Sequence, residues 1–473
     1  MDIYRPRRPT DCTLHRVLTE HVETFLDDAA MSRPDSLPRF VATELREYLR
    51  CGVLSEGFAR MHCDACGHDR LVGLSCKGRG FCPSCGGRRM TELAAHLVDH
   101  VLPVARTRQW VLSLPFALRA SVAWDHDLAL AVQRVVVRAV LGAYRRRAQK
   151  AGIADGRAGA ISVIQRFGSA LNLNPHFHLL VPDGVFAQAA SGSLRFHPTQ
   201  RFSRTDIERI AKTIRIRVTR LVERRVSHDD DVSDPLATCY AASLANSAAR
   251  EPAAHHRALT LSTFHTERML SMKKPLGLRA RDEGFDLHAG VVVPKKQRKL
   301  LEHLCRYLTR PALSHDRITL TENSRVRIQL KTPWQDGTTH LTLDPLAFCA
   351  RLSALIPRPR KNLLVYHGVL APNARLRPRI VTLGRTTNSE PALIKTKRPH
   401  RAWADLMRRT FAIDVTTCPK CGGRLRLMAI LLNPRAAVAI LRSLGLPHER
   451  ITLAPSRGPP DEHMFDEQDF QVA

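Results

Sequence analysis

Residues 160–186, AISVIQRFGSALNLNPHFHLLVPDGVF, read as two β-strands folded back on one another. The first, AISVIQRFG, is rich in β-branched residues, and the linking SALNLNP carries the Asn and Pro residues that suit a turn. In the second, His176 and His178 stand at i and i+2, so they point to one side of the strand while Phe177, Leu179 and Val181 point to the other. Two imidazoles on one face can grip one ion. The motif is only three residues long, and the hydrolase pattern H-x-H-x-D-H is absent, because Leu179, Leu180 and Val181 follow.

Outward from the hairpin, helices and strands mix without parallel βαβ alternation, which predicts an α+β fold. Residues 1 to about 50 carry apolar residues at helical spacing, and MTELAAHLVDHVL continues that pattern after a Cys- and Gly-rich segment at 51–90. RQWVLSLP (108–115) reads as a strand, followed by a long helix that Gly152 closes. Thr205 with Glu208 looks like a capping box opening another helix. Residues 227–257 read as a linker or small insertion, KKQRKLLEHLCRYLTRP as a helix stopped by Pro311, and RVRIQLKT and THLTLDP as strands. Residues 356–402 are rich in Pro, Arg and Lys, and the tail from Asp461 is acidic. The expected division is a helical, zinc-binding segment at 1–100, a central domain at 101–320 and a basic C-terminal α/β extension at 321–473 carrying a C-x-x-C pair.

The 473 residues hold 73 Lys+Arg against 44 Asp+Glu, a formal charge of +29, which points to a polyanionic partner, nucleic acid first. No run of eighteen apolar residues and no leader-like start is present, so the reading is an intracellular chain without a membrane partner. Twelve cysteines in a chain this long, several of them in C-x-x-C pairs, point to metal. Cys63-x2-Cys66 and Cys82-x2-Cys85 lie fifteen residues apart and predict one closed, structural Zn²⁺ site with four thiolate ligands. On that reading Cys51 and Cys76 are buried thiols, and Arg70, Lys77, Arg79, Arg88 and Arg89 present a phosphate-binding surface. Cys418-x2-Cys421 has no evident sequence partner; Cys349, Cys305 or His400 could complete it in space.

Leu300, Leu301, Leu304 and Leu308 form the apolar stripe of the helix KKQRKLLEHLCRYLTRP. Tyr307 sits at its edge beside Arg306 and Arg310, with His303 one turn before it. A tyrosine there is ordinarily a core-edge residue; a basic chain bearing a two-histidine motif favours a reactive role.

The stretches SCKGRGFCPSC, RQWVLSLPF, NPHFHLLVPDGVF, CRYLTRPALS, KTPWQDGTTHLTLDP, LIPRPRKNLLVYHGVLAPNAR and CPKCGG together resemble the rolling-circle transposases of the HUH endonuclease superfamily. The likeness is to the insertion-sequence-ninety-one-like and common-region element type. The resemblance implies an HUH-type antiparallel sheet flanked by helices and a nuclease that nicks and rejoins single-stranded DNA at element ends. It makes His176 and His178 ligands of a catalytic Mg²⁺ or Mn²⁺, and Tyr307 the nucleophile of a 5′-phosphotyrosine intermediate. Better-known members carry two tyrosines four residues apart; His303 fills the earlier position here, as in a single-tyrosine branch. A phenol has a pKa near 10, so Arg306 and Arg310 are expected to help it ionise. Gln165, eleven residues before His176, is the expected third metal ligand by likeness to relaxases, with His303 the rival. The implied partners are single-stranded or hairpin DNA at element termini and target DNA, in a bacterial cytoplasm at the nucleoid, with the oligomeric state open. Three readings compete: a plasmid replication initiator or relaxase, a non-catalytic zinc-dependent DNA-binding protein, and an H-x-H oxygenase that the charge disfavours.

Overall fold

The computed structural model describes residues 2–3, 8–31, 37–226, 243, 277–331, 333–334, 337–385, 403–411 and 413–457. The expected insertion at 227–257, apart from Ser243, lies outside these residues, as do His400 and the acidic tail from Asp461.

Helices α1 (Thr13–Met31) and α2 (Arg39–Leu49) bury Leu14, Val17, Leu18 and Val22 against Val41, Leu45 and Tyr48, the helical spacing seen in the sequence. Strands β1 (Phe58–Cys63) and β2 (Asp69–Gly73) form a hairpin, and α3 (Pro83–His100) follows. The centre is one sheet built from β3 (Thr107–Ser113), β4 (Gly159–Phe167), β5 (Leu173–Pro182), β6 (Arg279–Asp282), β7 (Phe285–His288), β8 (Val292–Val293) and β9 (Leu364–Gly368). The strand order is β9-β4-β5-β3-β7-β6, with β8 on the other end of β3, and every pairing is antiparallel. The α+β expectation and its antiparallel sheet are what the structure has. The edge strand β9 comes from the segment expected to belong to a C-terminal extension, so residues past 320 complete the central sheet.

Period-two alternation divides this sheet into two cores. On one face Trp110, Leu112, Ile164, Phe177, Leu179 and Val181 pack against α4 (His126–Lys150) and α5 (Arg204–Val226). On the other, Ile161, Val163 and Leu180 pack against α3 and against α6 (Arg298–Thr309), which contributes Leu301, Leu304, Cys305 and Leu308. The two histidines share that second face. Helix α5 is opened by Ser203, whose hydroxyl accepts from the Asp206 amide while the Asp206 carboxylate accepts from the Ser203 amide. The capping box therefore sits two residues before the expected Thr205–Glu208 pair, and Glu208 pairs with Arg204 instead.

The β4–β5 turn is Gly168–Asn172, closed by the Gly168 amide donating to the Asn172 carbonyl at 2.9 Å, with Leu171 left-handed at φ 58°. Register slips between Gln165 and Phe167, a bulge that accommodates Pro175 inside β5 beyond the last β3 pair, Ser113 with His176. At the far end of β5, Asp183 is fully buried and accepts from Arg108 Nε at 3.0 Å, Arg108 Nη2 at 2.9 Å and the Tyr144 hydroxyl at 2.8 Å. That network clamps β5 to β3 and to α4. Removing one partner of a buried pair leaves the other charge stranded, at a cost of about 3–5 kcal/mol. Asp183→Ala should lose stability of that order in urea denaturation, whereas the exposed pair partner Glu208→Ala should change it by less than about 1 kcal/mol.

Candidate metal centres and active site

Eight cysteines gather into two groups of four, Cys51, Cys76, Cys82 and Cys85 in one, Cys63, Cys66, Cys418 and Cys421 in the other. In the first, Cys51 follows α2, Cys76 lies in the loop after β2, and Cys82 and Cys85 occupy the N-cap and first turn of α3. Its sulfurs stand 3.5 Å (Cys76–Cys85), 3.6 Å (Cys51–Cys82) and 3.8 Å (Cys51–Cys85) apart. In the second they stand 3.5 Å (Cys63–Cys421) and 3.6 Å (Cys66–Cys418) apart. A disulfide would need about 2.05 Å. A tetrahedral ion with thiolates at about 2.3 Å holds them about 3.8 Å from one another, so both groups suit Zn²⁺.

The single site expected from Cys63, Cys66, Cys82 and Cys85 is thus corrected: the two C-x-x-C pairs belong to different groups. Cys63–Cys66 tips the β1–β2 hairpin, while Cys82–Cys85 opens a helix and faces Cys51 and Cys76, which are not mere buried thiols. Cys418 and Cys421 find their partners 352 residues or more away in sequence, across a strand pairing of β1 with β10 (Leu425–Leu431). Cys305 and Cys349 belong to neither group; each is a lone buried thiol, pushed up to about 12 by burial. The sequence held no sign of the true pairing, since CDACG, CPSCG and CPKCG all read C-x-x-C-G; backbone shape separates them. Both CDACG and CPKCG are knuckles whose glycine is left-handed, Gly67 at φ 68° and Gly422 at φ 74°. In both, that glycine's amide donates to the first cysteine's carbonyl, at 2.9 and 3.0 Å. Gly86 of CPSCG instead continues a helix. Of the basic residues around the cysteines, Arg70, Arg79 and Arg89 donate to the backbone carbonyls of Val415, Lys361 and Gly78, which braces the fold.

The second candidate centre lies where β4, β5 and α6 meet. Gln165 is the register partner of His176, so both side chains rise from the sheet together, with His178 two residues on. His176 Nδ1 lies 2.7 Å from the Asn174 carbonyl, so it carries the proton and donates. The Nε2 lone pair then faces Gln165 Oε1 at 3.0 Å, while the Gln165 amide nitrogen turns to the Leu308 carbonyl at 3.5 Å. With the amide assigned this way, an ion between the two acceptors would relieve their repulsion. Adjacent ligands of an octahedral ion with bonds of about 2.1 Å are about 3.0 Å apart.

His178 Nδ1 lies 3.0 Å from the side-chain amide of Gln109 on β3, and its buried Nε2 has no hydrogen-bond partner among the described residues. An amide's N and O are interchangeable in assignment. With the Gln109 oxygen, itself unpartnered as placed, turned to the ring, Nδ1–H donates and Nε2 is open to an ion. Burial lowers the pKa of both histidines. For His176 the Asn174 carbonyl opposes this and Arg310 and Arg119 add to it, giving about 4; for His178 the nearby His176 and Arg310 add to it. Both rings are therefore neutral at pH 7, the form that ligates metal.

Tyr307 stands edge-on to His178, ring centroids 6.2 Å apart at 87°, and the Arg310 guanidinium stacks on the phenol 4.5 Å from its centroid. Arg306 acts on His303, lowering its pKa after burial, and His303 is exposed on the outer side of α6. The structure thus gathers Gln165, His176, His178, Tyr307 and Arg310 and leaves His303 outside. Gln109, which sequence reasoning missed, stands on the same face of β3 as Val111 and Ser113; a buried glutamine in an apolar strand was the available clue.

If both cysteine groups take metal, reduced protein should yield about two zinc per chain by elemental analysis. Cys418→Ser should remove one of them and leave the site around Cys82 filled; one zinc in the wild-type chain would contradict the pairing.

Two transposase family models match the chain. One, described as a transposase zinc-binding domain, covers residues 17–114, and the other, a transposase model, covers residues 159–377. The chain is also similar to the transposase for insertion sequence element IS801 of Pseudomonas savastanoi pv. phaseolicola. Identity is 23% over 383 residues, which is 80% of each chain. No solved structure matches. No helix among the described residues is long and apolar enough to cross a membrane. The first model contains the whole first cysteine group and the second contains Gln165, both histidines and Tyr307; together with the relative they support an insertion-sequence-ninety-one-like rolling-circle transposase.

Proposed function

We propose that the chain nicks and rejoins single-stranded DNA at the ends of an insertion sequence, through a covalent 5′-phosphotyrosine on Tyr307. The observation that carries this reading is the convergence on one sheet face of two neutral imidazoles, the Gln165 carbonyl oxygen and a tyrosine backed by an arginine. His176, His178 and Gln165 would hold Mg²⁺ or Mn²⁺. When bound, such an ion polarises a non-bridging oxygen of the scissile phosphate and offsets its charge.

The remaining work falls to the chain's own groups. Tyr307 Oη attacks phosphorus, the bond to the 3′-oxygen breaks, and that oxygen leaves with the electron pair and takes up a proton. Arg310, stacked on the phenol, places a cation beside the anionic strand. One phosphodiester is exchanged for another, so no nucleotide cofactor is needed, and attack by a different 3′-OH rejoins the strand. Gln109 and the Asn174 carbonyl fix the tautomers and tilt of the two imidazoles. Both zinc groups are closed four-thiolate sets, which suits a structural role.

With labelled single-stranded element ends and Mn²⁺, wild-type protein should give a protein–DNA adduct on a denaturing gel. Tyr307→Phe should abolish the adduct while binding the same strand within about twofold, since the phenol oxygen contributes little to affinity. An undiminished adduct would pass the role to another tyrosine such as Tyr366, and binding with no adduct from wild type would favour a non-catalytic DNA-binding protein.

Gln165→Ala should raise the Mn²⁺ concentration needed for half-maximal cleavage by about 10–100-fold, the range for disturbing a metal's ligand sphere. His303→Ala should leave it within about twofold. The reverse ranking would remove Gln165 from the metal's coordination.

A further inference from the structure

The turn of the two-histidine hairpin and the C-terminal end of α6 bring cations together that no acid among the described residues answers. Arg317 donates from Nε to the Gln329 carbonyl at 2.8 Å, and from Nη2 to the Ser169 carbonyl in the β4–β5 turn. Arg310 leaves α6 at its C-cap and lies 5.8 Å from the centroid of Phe167, where that turn begins. Its Nε is buried with no hydrogen-bond partner among the described residues. Lys331 comes two residues after Gln329 and keeps one side open to solvent. Burial, then Arg310 and Arg317, draw the Lys331 pKa down to about 7. Burial and Arg310 draw that of Arg317 down to about 10. Among the described residues none of the three forms an ion pair with a carboxylate.

Like charges packed together without a counter-ion cost free energy that an anion would return. Nothing in the fold requires Lys331 to be charged there. The place also has a definite relation to the active site. Arg310 stands between Tyr307, 4.5 Å from its ring centroid, and Phe167, 5.8 Å from its ring centroid. The cluster therefore runs from Tyr307 past Arg310 to the β4–β5 turn, which Arg317 also reaches through the Ser169 carbonyl.

We propose that Arg310, Arg317 and Lys331 form a seat for one backbone phosphate of a single DNA strand, the phosphate next to the one that Tyr307 attacks. This rests on the reading of Tyr307 as the nucleophile. Filled, the seat neutralises the crowded cations and fixes the strand's register, so that the scissile phosphate, one linkage along, lies between Tyr307 and the imidazoles. Such a contact positions the strand without reading its sequence.

The test measures binding of a single-stranded oligonucleotide carrying the element end, in the Tyr307→Phe background and without divalent ion. A series of these oligonucleotides each has one uncharged methylphosphonate linkage. Lys331→Ala should weaken binding of the unmodified strand about five- to tenfold and flatten its salt dependence by about 0.7 in log–log slope, the release expected for one phosphate contact on a single strand. One methylphosphonate, at the linkage adjacent to the site of the wild-type adduct, should abolish the difference between proteins with and without the Lys331→Ala change, and Lys331→Arg should restore most of the affinity. A loss of equal size on every modified strand, or no loss at all, would overturn the seat. Because binding is read without cleavage, the two ideas fail separately. A wild-type protein that forms no adduct but shows one cancelling linkage loses the nuclease reading and keeps the seat. An adduct with no effect of Lys331→Ala loses the seat alone.

Discussion

Everything at the candidate active site depends on one register. Antiparallel pairing sets Gln165 opposite His176, and because a strand alternates its faces, that single match also places His178 and Val163 on the side of α6 and sends Phe177 and Ile164 to the opposite core. A slip of one residue would bury both imidazoles among aliphatic side chains and turn Phe177 toward Tyr307 and α6. The register is held at both ends. The bulge before Phe167 and the five-residue turn fix one, and the Asp183 network with Arg108 and Tyr144 fixes the other. The interior of this hairpin is a scaffold stiff enough to keep two acceptor atoms 3.0 Å apart.

Much of this was legible in the chain because it is local. Strand alternation around His176 and His178, the apolar stripe on the tyrosine helix and the helical spacing of the first fifty residues each reflect neighbours within one or two turns, and the structure has these elements. Even the partner of His176 could be reached, since a hairpin folds the eleven-residue separation back on itself. The division of the cysteines was not local. Proximity in sequence grouped Cys63, Cys66, Cys82 and Cys85, but a β-hairpin tip and a helix N-terminus project their thiolates in different directions, and each found partners elsewhere. Nothing in the sequence separated CDACG, CPSCG and CPKCG, which share one pattern; the left-handed glycines of the first and last, Gly67 and Gly422, emerge only in the fold. Strand β9 was missed as a member of the central sheet for a similar reason: nothing in LLVYHG tells which edge it will extend.

The same long-range closure explains the lack of clean domain limits. Residues 364–368 complete the sheet that bears the histidines, and residues 425–431 complete the hairpin that bears Cys63. The chain leaves its N-terminal region, builds the central sheet, then returns to finish both. The family models that match 17–114 and 159–377 therefore cut across the cores: the first takes in β3 of the central sheet and borrows a strand from far beyond its own limits.

That return has a consequence in time. Cys418 emerges from the ribosome 352 residues after Cys66, which at about 5–20 residues per second is a delay on the order of tens of seconds. Through that interval the first knuckle is a two-thiolate half-site on an unpaired strand edge, open to oxidation or to the wrong metal, while the central sheet is already assembling. A copy of the gene cut short before codon 418 would encode the histidines, the tyrosine and the first cysteine group intact, yet its product would never leave this vulnerable state. Loss of a few dozen terminal codons would thus remove half of one cysteine group while every residue of the candidate active site is still translated.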